Sequence, residues 1–97
     1  MSTSVATWIA GRRPPAVMPL ERWIGPEDQE PEALVPALTG LARAALDAAL
    51  SLPGHQREGA FHLLAADALF TYACEAALEA EDAEGALRNI LDRASER

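Results

Sequence analysis

Hydrophobic residues recur at helical spacing along the last two thirds of the chain. From residue 33 to residue 52 the apolar positions lie three or four residues apart, which predicts an amphipathic helix. These positions are Leu34, Leu38, Leu41, Ala45, Ala48 and Leu52. We expect Pro36 in the first turn, where its missing N–H costs little because the first four donors have no partner within the helix. Pro53 and Gly54 predict the end of the helix.

A second helix is predicted from about Gln56 or Arg57 to Glu81, and its apolar surface is wide. Four of its few polar residues follow one another at four-residue spacing: Asp67, Thr71, Glu75 and Glu79. They cover an arc of about 120° and leave roughly 240° apolar, whereas a helix lying on a core typically has an apolar stripe only somewhat above 100° wide. We therefore expect this helix to be covered on more than one side.

A third helix is predicted from Ala83 to about Ala94, with Asp82 as its N-cap. The connections between the three helices are short, and short connections favour antiparallel neighbours. The predicted fold class is therefore all-α: a small three-helix antiparallel bundle at residues 33–97, made of a helical hairpin and a short C-terminal helix.

Residues 1–32 show no sustained period and hold five of the seven prolines and both tryptophans. We interpret them as an irregular N-terminal arm with short helical turns, of which the clearest runs from Val5 to Ala10 between a Ser4 cap and Gly11. Tryptophan is enriched among interface hot spots, so the arm supplies interaction candidates. These are Trp8, Ile9, Trp23 and Ile24. They fold either onto the chain's own helices or onto a partner.

Composition agrees with helices, because the chain has 21 Ala and 13 Leu but only three Val and three Ile. A chain of 97 residues forms one domain with a modest core. The single cysteine, Cys74, excludes an internal disulfide framework and a Cys-rich zinc site, and it fits a reducing compartment. We expect Cys74 to be a small core residue.

The distribution and the sum of the charged residues limit which partners we expect for this chain. The longest stretch without a charged residue is residues 1–11, which is shorter than the ~20 apolar residues of a membrane helix. We therefore predict no membrane association and a cytoplasmic location. The net charge of −7 disfavours binding to nucleic acid, since such binding gains by neutralising phosphates.

Residues 58–84 contain seven acidic side chains and no basic one. We interpret Asp67, Glu75 and Glu79 as an acidic face that is mainly solvated. The alternative is a regulator that captures a basic protein, either antitoxin-like or a mimic of nucleic acid, since an acidic surface attracts such a partner.

Glu58 and His62 raise the question of a metal or hydrolytic site. Their spacing of four residues differs from the Glu-x-x-His of di-iron bundles, and the zinc pattern His-Glu-x-x-His is absent. Cys74 and His62 lie about 18 Å apart along one helix, too far to form a nucleophilic pair. We therefore expect a solvated His62 and predict no catalytic residue, metal or cofactor, with a small metal-binding or hydrolytic enzyme as a remaining alternative.

The first functional hypothesis is a non-enzymatic acidic protein that acts as a protein–protein interaction or assembly module. The wide apolar arc favours self-association through the central helix, and two-fold dimers are the commonest oligomers. The residues of this helix expected to take part are Phe61, Leu69, Tyr72 and Ala76. A protein partner of another kind is the alternative use of the same surface.

Overall fold

The computed structural model describes residues 3–12, 20, 23–24, 28–29, 31–52 and 57–96, with side chains at all of these except 28, 29, 31 and 32. The helices are α1 (Val5–Ala10), α2 (Pro31–Ser51), α3 (Arg57–Leu78) and α4 (Ala83–Ala94). The most extensive packing joins α2 to α3, and α4 packs on both. The predicted all-α bundle, a hairpin with a short C-terminal helix and an irregular arm, is therefore confirmed.

Helix α2 begins two residues before its predicted start, at Pro31. Proline suits the first helical position, because its fixed φ is already helical and its missing N–H would have no partner there. Pro36 consequently lies in the second turn, and its predicted place in the first turn is wrong. One turn further along, the buried Thr39 hydroxyl donates to the carbonyl oxygen of Val35 at 2.7 Å. The hydroxyl of this buried threonine is thus satisfied within its own helix.

The core lies between the facing surfaces of α2 and α3. Leu38 and Leu69 are completely buried at its centre. The other completely buried side chains are alanines: Ala42, Ala45, Ala65, Ala73 and Ala77. Because alanine fills little volume, the two helices must approach each other closely to exclude water from these positions.

The ends of α3 and α4 are set by local hydrogen bonds. Helix α3 ends at Leu78, three residues before its predicted end. There the backbone N–H groups of Glu79 and Ala80 donate to carbonyls three residues earlier, at 3.0 and 3.1 Å, and so tighten the last turn. Helix α4 starts as predicted, since the Asp82 carboxylate accepts from the backbone N–H of Gly85 at 3.0 Å.

The described part of the arm folds onto the helices. Ser4 caps α1 as predicted, with its hydroxyl oxygen accepting from the backbone N–H of Thr7 at 3.1 Å. A two-residue antiparallel pairing, which was not predicted, joins β1 (Thr3–Ser4) to β2 (Asp28–Gln29). The apolar arm residues that are buried in the core are Val5, Ile9 and Leu20. Pro53 and Gly54, which were predicted to end α2, lie outside the described residues.

The molecule is elongated, with principal extents of 41 × 26 × 23 Å. The 22 residues of α3 span about 33 Å and so fit within the longest dimension. By length and composition alone, Ala33–Ser51 and Arg57–Leu78 are apolar enough to cross a membrane, and 33% and 39% of the tested windows are buried. Core helices of soluble proteins pass the same test.

Candidate interaction surface

One face of α3 is buried inside the molecule. Its buried residues are Ala65, Ala66, Leu69, Tyr72, Ala73, Ala76 and Ala77. Leu69, Tyr72 and Ala76, expected from the sequence to take part in self-association, therefore belong to the chain's own core. The reason is that α2, α4 and the arm together cover a wider arc of α3 than one neighbouring helix could cover. Of the four predicted residues on this helix, Phe61 is exposed.

The first two turns of α3 expose apolar side chains on the opposite side. Phe61, Leu63 and Leu64 are 41%, 51% and 50% exposed, and Ala60 beside them is exposed as well. At 100° per residue Ala60 and Leu64 face away from Leu69, and Phe61 and Leu63 lie on the two flanks of the helix. We call Ala60, Phe61, Leu63 and Leu64 the α3 patch.

Two opposite charges bound the α3 patch along the helix. Arg57 lies one turn before it and Asp67 one turn after it, about 15 Å apart along the axis, and both are exposed. Neither side chain forms an ion pair with another residue in the described part of the chain. The surface is therefore apolar in the middle, positive at one end and negative at the other.

The sequence contained a signal for the α3 patch that the prediction did not use. The polar series at four-residue spacing starts at Asp67, and the two preceding positions of the same series are Leu63 and Gly59. The polar strip therefore stops before the first turns of the helix. Leu63 and Leu64 continue its side of the helix without any polar group.

The acidic face occupies the second half of α3. Asp67 and Glu75 are exposed. Glu79 is half-exposed, and its carboxylate pairs with the Arg12 guanidinium at 3.3 Å. The arm thus partly neutralises the acidic face within the same chain.

Cys74 lies on the exposed side of α3, so its predicted place in the core is wrong. The residue before it, Ala73, is completely buried, and a rotation of 100° turns Cys74 away from the core. Thr71 and Leu78, three and four residues away on the same side, are also exposed. An exposed free thiol fits a reducing compartment.

The first tryptophan of the arm packs on the second half of α3. The rings of Trp8 and Tyr72 meet edge to face, with centroids 6.0 Å apart and an interplanar angle of 84°. The Arg12 guanidinium lies over the Trp8 ring at 3.9 Å from its centroid. Burial raises the pKa of the Tyr72 phenol, the charge of Glu75 raises it further, and the charge of Arg12 opposes both.

The second tryptophan of the arm packs on the first half of α3. Its indole N–H donates to Nδ1 of His62 at 3.1 Å, and Nε2 of His62 lies 3.4 Å from a carboxylate oxygen of Glu58. The His62 side chain is only 16% exposed, so the prediction of a solvated histidine is wrong. Because an indole N–H can only donate, Nδ1 must accept, and the neutral ring carries its proton on Nε2.

All four interaction candidates of the arm contact the chain's own core. Ile9 is buried, and Trp8, Trp23 and Ile24 pack against the core as half-buried residues. The sequence left open whether these side chains fold onto the chain's own helices or onto a partner. In the structure they lie on the chain's own helices.

The remaining features offer little for catalysis or metal binding. Within the described ranges, no three His, Cys, Asp or Glu side chains are grouped so that they could hold a metal ion. An open cleft of about 1050 Å³ lies between α1, α2 and α4, with Trp8 and Leu34 among its apolar walls and both acidic and basic groups on its rim. No observation on these residues favours the hydrolytic or metal-binding alternative.

Comparison of the chain with protein-family models, curated proteins and solved structures gives no match. A small helical bundle does not by itself imply a function, because the same architecture hosts unrelated activities. We therefore base the proposed function on the α3 patch, its two bounding charges and the acidic face.

Proposed function

We propose that the protein is a non-enzymatic, cytoplasmic interaction module that self-associates through the α3 patch. The observation that carries this proposal is the exposure of three large apolar side chains within two turns of one helix, with 41% to 51% of each in contact with water. Contiguous exposed apolar groups rimmed by polar residues are typical of protein–protein interaction sites.

The size of the α3 patch indicates a reversible association. Complete burial of a Leu or Phe side chain stabilises by about 1.5–3 kcal/mol, and about half of each side chain is still to be covered. Two copies, each with three such side chains, would gain roughly 5–9 kcal/mol from burial. Because association costs an estimated ~4–15 kcal/mol in lost freedom of motion, we expect a dimer that dissociates on dilution.

Symmetry favours a second copy as the partner that covers the α3 patch. Because two-fold pairs are the commonest oligomers, self-association is the simplest way to cover this surface.

Sedimentation velocity over a range of concentrations tests the proposal, with Leu64→Glu as the disrupting variant. Leu91 is 66% exposed on α4, so Leu91→Glu is a matched control that adds the same charge elsewhere. We expect a concentration-dependent dimer for the wild type and for Leu91→Glu, and a monomer for Leu64→Glu. Circular dichroism verifies that both variants fold. A wild type that remains monomeric up to about 1 mM, the concentration of a very weak complex, would overturn the proposal.

A second proposal is capture of a basic partner by the acidic face. The observation in its favour is the ion pair between Arg12 and Glu79, in which this face already binds an arginine of its own chain. Titration with an arginine-rich peptide measures the property directly. We expect Glu75→Arg combined with Glu79→Arg to abolish binding, and unchanged binding would reject this second function.

A further inference from the structure

We infer that two copies of the chain pair their α3 helices in antiparallel orientation, with Arg57 of each copy facing Asp67 of the other. This inference rests on the proposed self-association and adds its geometry. The two-fold axis passes near the level of His62, midway between the two charges. Both charges and the apolar residues between them are exposed along one side of the helix.

The order of residues along α3 is self-complementary in this arrangement. Positions equally distant from residue 62 face each other, so that 57 meets 67 and 60 meets 64 across the axis. Phe61 and Leu63, about 160° apart around the helix, flank this contact on its two sides. A two-fold interface requires the same surface on both subunits to complement itself, and this stretch of α3 meets that requirement in both apolar character and charge.

Charge selects the antiparallel orientation over the parallel one. A parallel pair would place Arg57 against Arg57 and Asp67 against Asp67, and like charges facing each other across an interface are unfavourable. It would also bring the two acidic faces together. In the antiparallel pair the two Glu75 side chains are about 39 Å apart along the axis, far beyond the Debye length of about 8 Å at physiological ionic strength.

Charge also selects the register. If one copy slipped by a turn, so that the axis moved to the level of Leu64, Phe61 would face Asp67 of the second copy and Arg57 would lose its carboxylate. The position of Arg57 supports the inference independently. It is the first residue of α3, where the helix dipole disfavours a cation, and a carboxylate from the second copy offsets this effect.

Charge reversal provides the main test. Asp67→Arg places two arginines opposite each other on both sides of the axis, and Arg57→Asp does the same with two carboxylates. We expect each single variant to weaken dimerisation at least about tenfold. The double variant, Arg57→Asp with Asp67→Arg, exchanges the charges and should dimerise within about threefold of the wild type. Single variants that dimerise like the wild type, or a double variant that stays as weak as the single ones, would overturn the arrangement.

Cross-linking gives a second, geometric readout. In the antiparallel pair the two native Cys74 residues are about 36 Å apart along the axis, so mild oxidation should give no covalent dimer. With Cys74→Ala and Ala60→Cys combined, the two introduced thiols are only about 6 Å apart along the axis. A short bismaleimide should then link them efficiently. A disulfide-linked dimer through Cys74 under dilute conditions would instead indicate parallel pairing and contradict the inference.

The outcomes separate this inference from the proposed function. If the wild type does not dimerise, both fail. If it dimerises and Leu64→Glu abolishes the dimer while the charge reversals have no effect, self-association through the α3 patch stands and the antiparallel register falls. Circular dichroism and urea unfolding of each variant distinguish a lost contact from a lost fold.

Discussion

On one side of α3, the first half of the helix exposes the α3 patch, whereas the second half exposes Asp67, Thr71 and Glu75. Both halves pack the opposite side against the same core. The second half has a polar group at every fourth position and exposes one large apolar side chain, Leu78, at its end, so it is largely solvated without a partner. On the same side, the first half has no polar group between Arg57 and Asp67, so an apolar surface is needed to cover it. The contrast shows that burial of the inner side of a helix does not determine whether its outer side is solvated or covered by a partner.

The arm also contacts the two halves differently. On the second half, Trp8 packs its ring on Tyr72 and Arg12 pairs with Glu79. On the first half, Trp23 packs edge to face on the His62 ring, with centroids 5.7 Å apart, and in addition donates a hydrogen bond to it. Ring packing and an ion pair tolerate small displacements, whereas a hydrogen bond needs a donor and an acceptor within a few tenths of an ångström and in line.

The largest expected effect comes from truncating a leucine on the inner side of α3 rather than on the outer side. Leu69 is completely buried, so Leu69→Ala should lower the free energy of unfolding by about 2–5 kcal/mol through lost burial and the resulting cavity. Leu64→Ala removes the same atoms from a half-exposed position and should change it by less than about 1 kcal/mol. Urea unfolding at low protein concentration, where the monomer dominates, measures both.

Protein concentration sharpens this comparison. When the measurement is repeated under conditions that favour the dimer, the wild type should gain stability by mass action, whereas Leu64→Ala should gain less. If Leu69→Ala and Leu64→Ala lowered the free energy of unfolding equally at low concentration, the α3 patch would be packed within one chain. The basis for self-association would then be removed.

An intermediate effect is expected at the contacts of the arm. Trp23→Phe removes the donor to His62 and leaves Nδ1 without this partner, at a cost of about 0.5–1.5 kcal/mol. Trp8→Phe is the matched control, because it makes the same truncation while keeping an aromatic ring against Tyr72 and under Arg12. We expect Trp23→Phe to be the more destabilising of the two in urea unfolding. The reverse order would show that ring packing, and not the hydrogen bond, holds the arm on α3.

The pattern of apolar positions predicted the helices well, because each helix must show a periodic face to a core. The caps at Ser4 and Asp82 were predictable for a similar reason, since side-chain oxygens at these positions satisfy orphan N–H groups locally. The position of Pro36 was predicted wrongly because apolar periodicity does not show that the helix begins at Pro31, two residues before its predicted start. These features depend on residues a few positions apart.

The environments of Cys74 and His62 could not be predicted in the same way. Periodicity places a residue on one side of a helix, but which neighbour covers that side is decided by contacts between residues far apart in sequence. His62 is enclosed by Trp23, which lies 39 residues earlier. Cys74 is exposed because the helices and the arm cover the other side of α3. The α3 patch was foreseen in part: a wide apolar arc was predicted, but of the four residues assigned to its exposed portion Phe61 alone lies in the patch.

The smallest effect at neutral pH is expected for Tyr72→Phe, which becomes informative at alkaline pH. Burial and the charge of Glu75 hold the pKa of Tyr72 above its usual value of 10.0, so the folded protein keeps the phenol proton to a higher pH than the unfolded chain does. The resulting stability is fully present below about pH 10 and is lost as the pH rises through the folded pKa. The free energy of unfolding of the wild type should therefore fall relative to that of Tyr72→Phe in this alkaline range.

Tyr72 is the only tyrosine of the chain, so the absorbance of its phenolate reports this ionisation directly. Glu75→Gln removes one of the two causes of the raised pKa and should shift the absorbance titration to lower pH. Glu84→Gln, at an exposed position on α4, is the control and should leave the titration unchanged. Because the shift depends on a carboxylate of the acidic face, it connects the solvated half of α3 to the aromatic contact beneath it. A phenolate that forms below pH 10 in the folded protein would contradict the burial of Tyr72 between α3 and the arm.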